Sequence, residues 1–176
     1  STPTAPEPPT LPPDDPEDSQ RTVSDELLPA AFSEDALAEE WVKRHGENWR
    51  YVDGENVWYK WQGDYWRENK TREYYDLARR LNREALIWPG ASDLSRGARS
   101  RLGSATTANG MIYYIKADPH IASETESWDV NLWYLGVPGG VIDLQSCQMV
   151  QPERQHLITK QTAVAPENGP HPEWDK

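Results

Sequence analysis

Between Trp49 and Asn69 three short aromatic-rich runs, WRYV, NVWYKWQ and YWREN, are separated by Asp53-Gly54 and Gly63-Asp64. Such pairs supply the turn conformations that hairpins need, and runs of this length between them have strand character. A three-stranded antiparallel meander over residues 49–69 is the expected product. Successive strand side chains alternate between faces. Trp58 then lies on one face, and Val57, Tyr59 and Trp61 share the other. Nine Trp and eight Tyr accompany a single Phe in the chain. Each of these rings combines a large apolar body with one polar group. Two readings stay open: a small core built from amphipathic aromatics, or a platform on which bases or a partner stack.

Helical spacing flanks the meander. Ser33 is a good N-cap, Glu34 and Asp35 follow in the first turn, and Leu37, Ala38, Trp41 and Val42 repeat at helical intervals. This predicts a helix over 34–45, with Gly46 as its stop. Thr71 is placed to cap a second helix over about 72–87, whose stripe is Tyr74, Ala78, Leu81 and Ala85, and Pro89-Gly90 ends it. A further helical stretch covers about 93–102. A third, capped by Ser104, covers about 105–117 with Ala108, Met111, Ile112 and Ile115 inward. The C-terminal third turns back to strands: LWYLG at 132–136, VIDL at 141–144 after Pro138-Gly139-Gly140, CQMV at 147–150, and HLITKQTAV at 156–164. The fold class is α+β: an N-terminal helix, an aromatic-rich antiparallel β-meander, a helical middle and C-terminal β-hairpin strands.

Charge is unevenly spread. The first 40 residues hold eleven acids against Arg21 alone, whereas residues 41–176 hold 18 acids and 17 bases. Residues 1–22 are Pro-rich, acidic and poor in large apolar groups, so they bury too little surface to offset their ordering entropy. They read as an extended linker, 23–166 as the folded domain, and 167–176 as a second linker. Cys147 is the single cysteine. An internal disulfide and a thiolate zinc site are thereby excluded, in keeping with a reducing cytoplasm. No apolar run approaches the roughly 20 residues that span a bilayer, so no membrane association is expected.

Motifs for catalysis are missing. There is no GxxxxGK[ST] phosphate loop, and GVPGGV at 136–141 runs into a strand with no following Lys. Asp53 and Glu55, the nearest approach to a metal-binding carboxylate pair, belong to a turn. His45, His120, His156 and His171 lack zinc-ligand spacing. No catalytic residue, metal site or cofactor is expected in this chain.

One electrostatic feature stands out. Residues 67–101 carry nine bases and five acids, and eight of the nine bases are Arg. Arginine suits bidentate phosphate contact better than lysine. Arg79, Arg80 and Arg83 cluster on one part of a helix, and the run at 95–101, which contains no acid, adds Arg96, Arg99 and Arg101. These six are candidates for nucleic-acid contact. The plainer alternative is a solvated helix face with intrahelical ion pairs.

The stretch from Trp128 to Pro166 resembles a pattern of phage, plasmid and poxvirus-type primase-helicases, in the domain N-terminal to a superfamily-three helicase ATPase. The matching residues are Trp128, Asp129, Trp133, Leu135, Pro138, Gly139, Gly140, Val141, Asp143, Leu144, Ile158, Thr159 and Lys160. The pattern RYV…WYxWxGxxW at Arg50–Trp66 fits upstream, and Pro172-Glu173-Trp174 resembles the approach to the ATPase. Gly136 stands where the family commonly has Asn, and Cys147 where a hairpin Gly is usual. The resemblance implies structural roles for Trp133, Pro138, Gly139, Gly140, Asp143, Thr159 and Lys160. It also implies a parent protein with a primase module upstream and an AAA+ helicase downstream, to which ATP and magnesium would belong. That parent would form a homo-hexamer on single-stranded or forked DNA in the cytoplasm of a bacterial host cell. This domain would then be a non-catalytic collar coupling primase to helicase, supporting ring assembly and contacting DNA. A protein-interaction module recruiting another replication factor is the alternative, and an enzyme acting on nucleotides or nucleic acid the third possibility.

Overall fold

The computed structural model describes residues 31–166. The expected linkers at 1–22 and 167–176, and the onset of order at Val23, lie outside the described residues.

Helix α1 spans Glu34–His45, as its pattern predicts. Ser33 Oγ accepts the Ala36 N–H at 3.1 Å, acids occupy the first turn, and Lys43, Arg44 and His45 the last. Leu37, Ala38 and Trp41 are buried. Gly46 differs from expectation. Its φ is −57°, so it is not a left-handed stop. A Cβ there would come 3.1 Å from Val42 Cγ1. The residue instead lets a 3-10 turn, Gly46–Asn48, fold closely under the helix end.

Strands β1 (Trp49–Val52), β2 (Val57–Trp61) and β3 (Trp66–Glu68) form the meander, with Trp49 opposite Lys60, Tyr51 opposite Trp58, and Trp61 opposite Trp66. The sheet has a fourth strand that the sequence reading does not contain. Ala122–Ser123 (β4) pairs parallel with the free edge of β1, and the Tyr51 N–H reaches Ile121 O at 2.8 Å. Two residues are too few to show a period. In the first turn the left-handed residue is Asn56 (φ 54°) and not Gly54, while Gly63 (φ 108°) fills that role in the second.

Three helices follow: α2 (Glu73–Ala85), α3 (Arg96–Leu102) and α4 (Ala105–Ala117). Thr71 does not cap α2. Arg72 takes a left-handed conformation (φ 56°), which carries Thr71 off the axis, and Asn69 Oδ1 accepts the Glu73 N–H at 3.1 Å instead. Helix α3 is shorter than the sequence suggests because Ala91–Asp93 form a separate 3-10 turn and Ser95 caps the helix. Helix α4 matches expectation, with Ser104 as cap and Ala108, Met111, Ile112 and Ile115 buried. It lies so close to α1 that a Cβ on Gly110 would sit 2.7 Å from Glu34 Cγ.

One face of the sheet packs on α1, α2 and α4. Trp41, Trp49 and Trp58 approach pairwise at 6.2 Å between ring centres, and Tyr74 stacks on Trp58 at 4.4 Å. These rings form the core, with Trp41, Trp49 and Trp58 at most 3 % exposed. Arg44 ties α1 to α2, meeting both oxygens of Glu84 at 2.9 and 2.8 Å. No helix among the described residues is long and apolar enough to cross a membrane.

The opposite face receives the C-terminal third. Strands β5 (Tyr134–Val137), β6 (Gly140–Asp143) and β7 (Gln148–Val150) form a second antiparallel sheet in that order. The strand expected over 156–164 is not formed. The segment has a 3-10 turn at Arg154–His156, a left-handed Leu157, and one bridge, Gln161 with Gly136. The physical reason is a division of its backbone between two sheets. Ile158 O accepts the Trp66 N–H at the edge of β3, whereas the Thr162 N–H goes to Gly136 O in β5, both at 2.9 Å. Neither edge offers a continuous ladder, so residues 157–162 form a strap between them.

Candidate nucleic-acid interface

Burial of the α2 stripe dictates where its arginines go. Ala78, Leu81, Asn82 and Ala85 turn inward, at the i, i+3, i+4 and i+7 spacing of one helical face. Arg79, Arg80 and Arg83 must then turn outward, and all three are exposed. Asp76 takes part of their charge. Its carboxylate lies 2.7 Å from Arg80 Nε and 3.5 Å from Arg79 Nη1, and those side chains remain 71 % and 56 % exposed. Exposed pairs of this kind contribute about 0.2–1 kcal/mol. Arg83 Nε donates to Arg79 O at 3.4 Å.

The second arginine group divides. Arg96 and Arg101 are exposed. Arg99 is half-buried, and its Nη1 donates to Ala91 O at 2.7 Å, which closes the loop before α3. Its geometry is that of a structural tie. Arg79 and Arg83 do come together with the α3–α4 corner, where they line a groove of about 330 Å³ beside Ser104 and Ala105. Asn82 lies in the same groove, 2 % exposed, with neither side-chain polar atom bonded among the described residues. The sequence reading omits Asn82, although its position on the α2 stripe is the signal that would have found it.

The residues of the family pattern are brought together as a clamp. Trp128 stacks on Tyr59 at 4.5 Å and meets Trp66 edge-on at 5.8 Å. Asp129, next to it, accepts the Thr159 N–H at 2.8 Å and the Thr159 hydroxyl at 2.5 Å, and its own N–H reaches Leu157 O at 3.1 Å. Lys160 is 3.9 Å from the same carboxylate but 86 % exposed. Thus the Trp-Asp and Ile-Thr-Lys segments, 30 residues apart, lock the strap onto the meander. Asp64 provides the second lock. Its Oδ2 accepts from the Gly139 N–H at 3.1 Å and from Gln161 Nε2 at 2.8 Å. The sequence reading treats Asp64 only as a turn residue.

The remaining pattern residues shape the second sheet. Gly139 needs its positive φ of 85°, next to the half-buried Pro138. At Gly140 a Cβ would meet Met149 Cε at 2.7 Å, so the end of the Met149 side chain lies directly over this glycine. Asp143 accepts from the Gln145 N–H and the Ser146 hydroxyl, each at 2.9 Å. Those donors, the Gln145 backbone first, hold its carboxyl below the ordinary value. Cys147 closes this turn at φ 55°, which explains a glycine preference at the position. The Trp133 carbonyl accepts the Leu144 N–H at 2.8 Å, while the residue stays 53 % exposed. Leu135, Ile142 and Met149 face one another across β5–β7, and Leu135 and Met149 are exposed. This leaves an apolar stripe on the outer side of the second sheet.

Among the described residues no three His, Cys, Asp or Glu side chains gather as a metal site would require. Residues 38–176 match the family model described as "D5 N terminal like". No curated protein matches the chain.

Proposed function

The chain belongs to the D5 N-terminal-like family, the domain found in phage and poxvirus primase-helicase proteins, and from that membership we propose that it is the non-catalytic accessory domain of a replicative primase-helicase. In this reading it couples a primase to a ring-forming helicase, supports assembly of the ring, and contacts single-stranded or forked DNA. ATP and magnesium belong to the helicase module of the parent. The observation that carries the DNA contact is the outward arginine face of α2, with Arg96 and Arg101 also exposed, in a span of nine bases and five acids. Phosphate contacts position a protein on nucleic acid without reading its sequence, a role that suits a guide.

The test is fluorescence anisotropy of labelled single-stranded and forked oligonucleotides with the full chain, alongside light scattering. Saturable binding supports the reading. A second reading, a module that recruits another replication protein, is favoured by the apolar stripe of Leu135, Ile142 and Met149. Association seen by scattering, without any anisotropy change, would replace the first reading with the second.

A further inference from the structure

The groove between α2 and the start of α4 brings a helix start beside a buried, unbonded side-chain amide, three donors in all with the N–H of Thr106 next to the lining. Helix α4 has 13 residues, and the first N–H groups of a helix have no partner within it. Ser104 Oγ accepts the Thr107 N–H, and Ser104 O accepts that of Ala108, both at 3.3 Å. The N–H groups of Ala105 and Thr106 are left without an acceptor among the described residues. The third donor is independent of the helix end. Asn82 lines the groove, 2 % exposed, and both its Nδ2 and its Oδ1 are unbonded among the described residues. An amide buried without a partner is destabilising, and such a group on an otherwise apolar stripe calls for an explanation. Arg79 and Arg83 also line the groove, and among the described residues no carboxylate does.

We propose that this groove is a site for one phosphoryl group. The Ala105 and Thr106 amides and the positive end of α4 face the anion, as helix starts do in phosphate sites. The Ser104 hydroxyl, whose oxygen already accepts from Thr107, keeps its own hydrogen to donate. Asn82 supplies an amide donor, and the guanidinium groups of Arg79 and Arg83 neutralise charge. Asp76 holds Arg79 only at 3.5 Å, so that side chain is easily drawn in. That the group is a DNA backbone phosphate rests on the reading given under Proposed function. A free phosphate or nucleotide shares the same chemistry.

Amide NMR of the full chain separates these sources. Inorganic phosphate is one titrant, and an oligothymidylate without terminal phosphates is the other. Saturable shifts of the Ala105 and Thr106 backbone amides and the Asn82 side-chain amide with both probes are expected. Asn82→Leu should weaken phosphate binding about tenfold or more, while its melting temperature stays level or rises, because the apolar replacement removes an unpaired group. Arg79→Ala with Arg83→Ala should weaken binding similarly at unchanged melting temperature. If phosphate moves none of the three signals, or Asn82→Leu binds it as the parent does, the site is overturned. Oligonucleotide binding that leaves these signals unmoved overturns the assignment of the site to a DNA phosphate, but leaves the DNA reading of the arginine face standing. Phosphate shifts without oligonucleotide binding uphold the site, as one for free phosphate or nucleotide, and remove the DNA reading.

Discussion

Replacing Asp129 by alanine removes the anchor that holds the strap to the meander, and its cost follows from the bonds it makes. Two hydrogen bonds disappear, from the Thr159 N–H at 2.8 Å and its hydroxyl at 2.5 Å. A bond to a charged acceptor contributes about 1.5–3 kcal/mol. The carboxylate is 22 % exposed, so the low end applies, and the pair together amount to about 3 kcal/mol. Asp129 also has φ 54°. Alanine there adds about 1 kcal/mol of backbone strain that asparagine largely avoids. Asp129→Ala should therefore destabilise by about 4 kcal/mol, and Asp129→Asn by about 1–1.5 kcal/mol, since Asn keeps one acceptor and tolerates the left-handed conformation. Lys160→Ala, which removes an exposed ion pair from the same carboxylate, should cost under about 0.5 kcal/mol. Urea unfolding followed by tryptophan fluorescence measures all three, and Trp128, stacked on Tyr59, reports the strap locally. A destabilisation below about 1 kcal/mol for Asp129→Ala, or equal values for the Ala and Asn variants, would refute the two-bond, left-handed account.

Three further outcomes follow from the local geometry and are read by the same unfolding assay, and a fourth from its pH dependence. Gly97→Ala, on the exposed face of α3 with only Ser95 Oγ 3.9 Å from a new Cβ, should stabilise by about 0.5–1 kcal/mol. Gly110→Ala gains the same helix propensity but meets Glu34 Cγ at 2.7 Å, so it should be neutral or destabilising; an equal gain at both sites would contradict the close α1–α4 approach. Cys147→Gly should stabilise by about 0.5–1 kcal/mol by relieving the φ of 55° in the hairpin turn, and a decrease would show that the residue contributes more than its backbone. Burial, with a smaller push from Arg44, lowers the pKa of His45 from its ordinary 6.5. The unfolded chain then takes up this proton more readily than the fold, so stability is lost as pH falls below about 6.5. His45→Gln should flatten the change in urea midpoint between about pH 7.5 and 5.5, and an unaltered profile would remove His45 as its cause.

The elements legible in the sequence are those whose causes are local. Helices α1 and α4 begin at Ser33 and Ser104 because a hydroxyl and a 3.6-residue stripe lie within one short window, and both helices have their expected bounds. The meander is legible because its turns and its alternation are equally local. The misses depend on partners distant in sequence. Strand β4 exists because Ile121 arrives beside Tyr51, and the strap is no strand because Ile158 and Thr162 bond to different sheets. Thr71 is an acceptable cap in isolation and loses to Asn69 only because Arg72 turns left-handed. In the candidate interface, the outward direction of Arg79, Arg80 and Arg83 follows from the α2 stripe. The inward turn of Arg99 to Ala91 O does not, since it needs the fold of the preceding loop. Asn82 is legible as a stripe position, but its lack of a partner is a property of the packed molecule.

The salt dependence of single-stranded DNA binding tests the central claim most directly, comparing the chain with its Arg79→Ala, Arg80→Ala, Arg83→Ala variant. Each phosphate that an arginine no longer neutralises should reduce the slope of log affinity against log salt by about 0.7. The arginine-face account predicts weaker binding at low salt and a slope shallower by up to about 2. Equal affinity and an equal slope for the two proteins would contradict it.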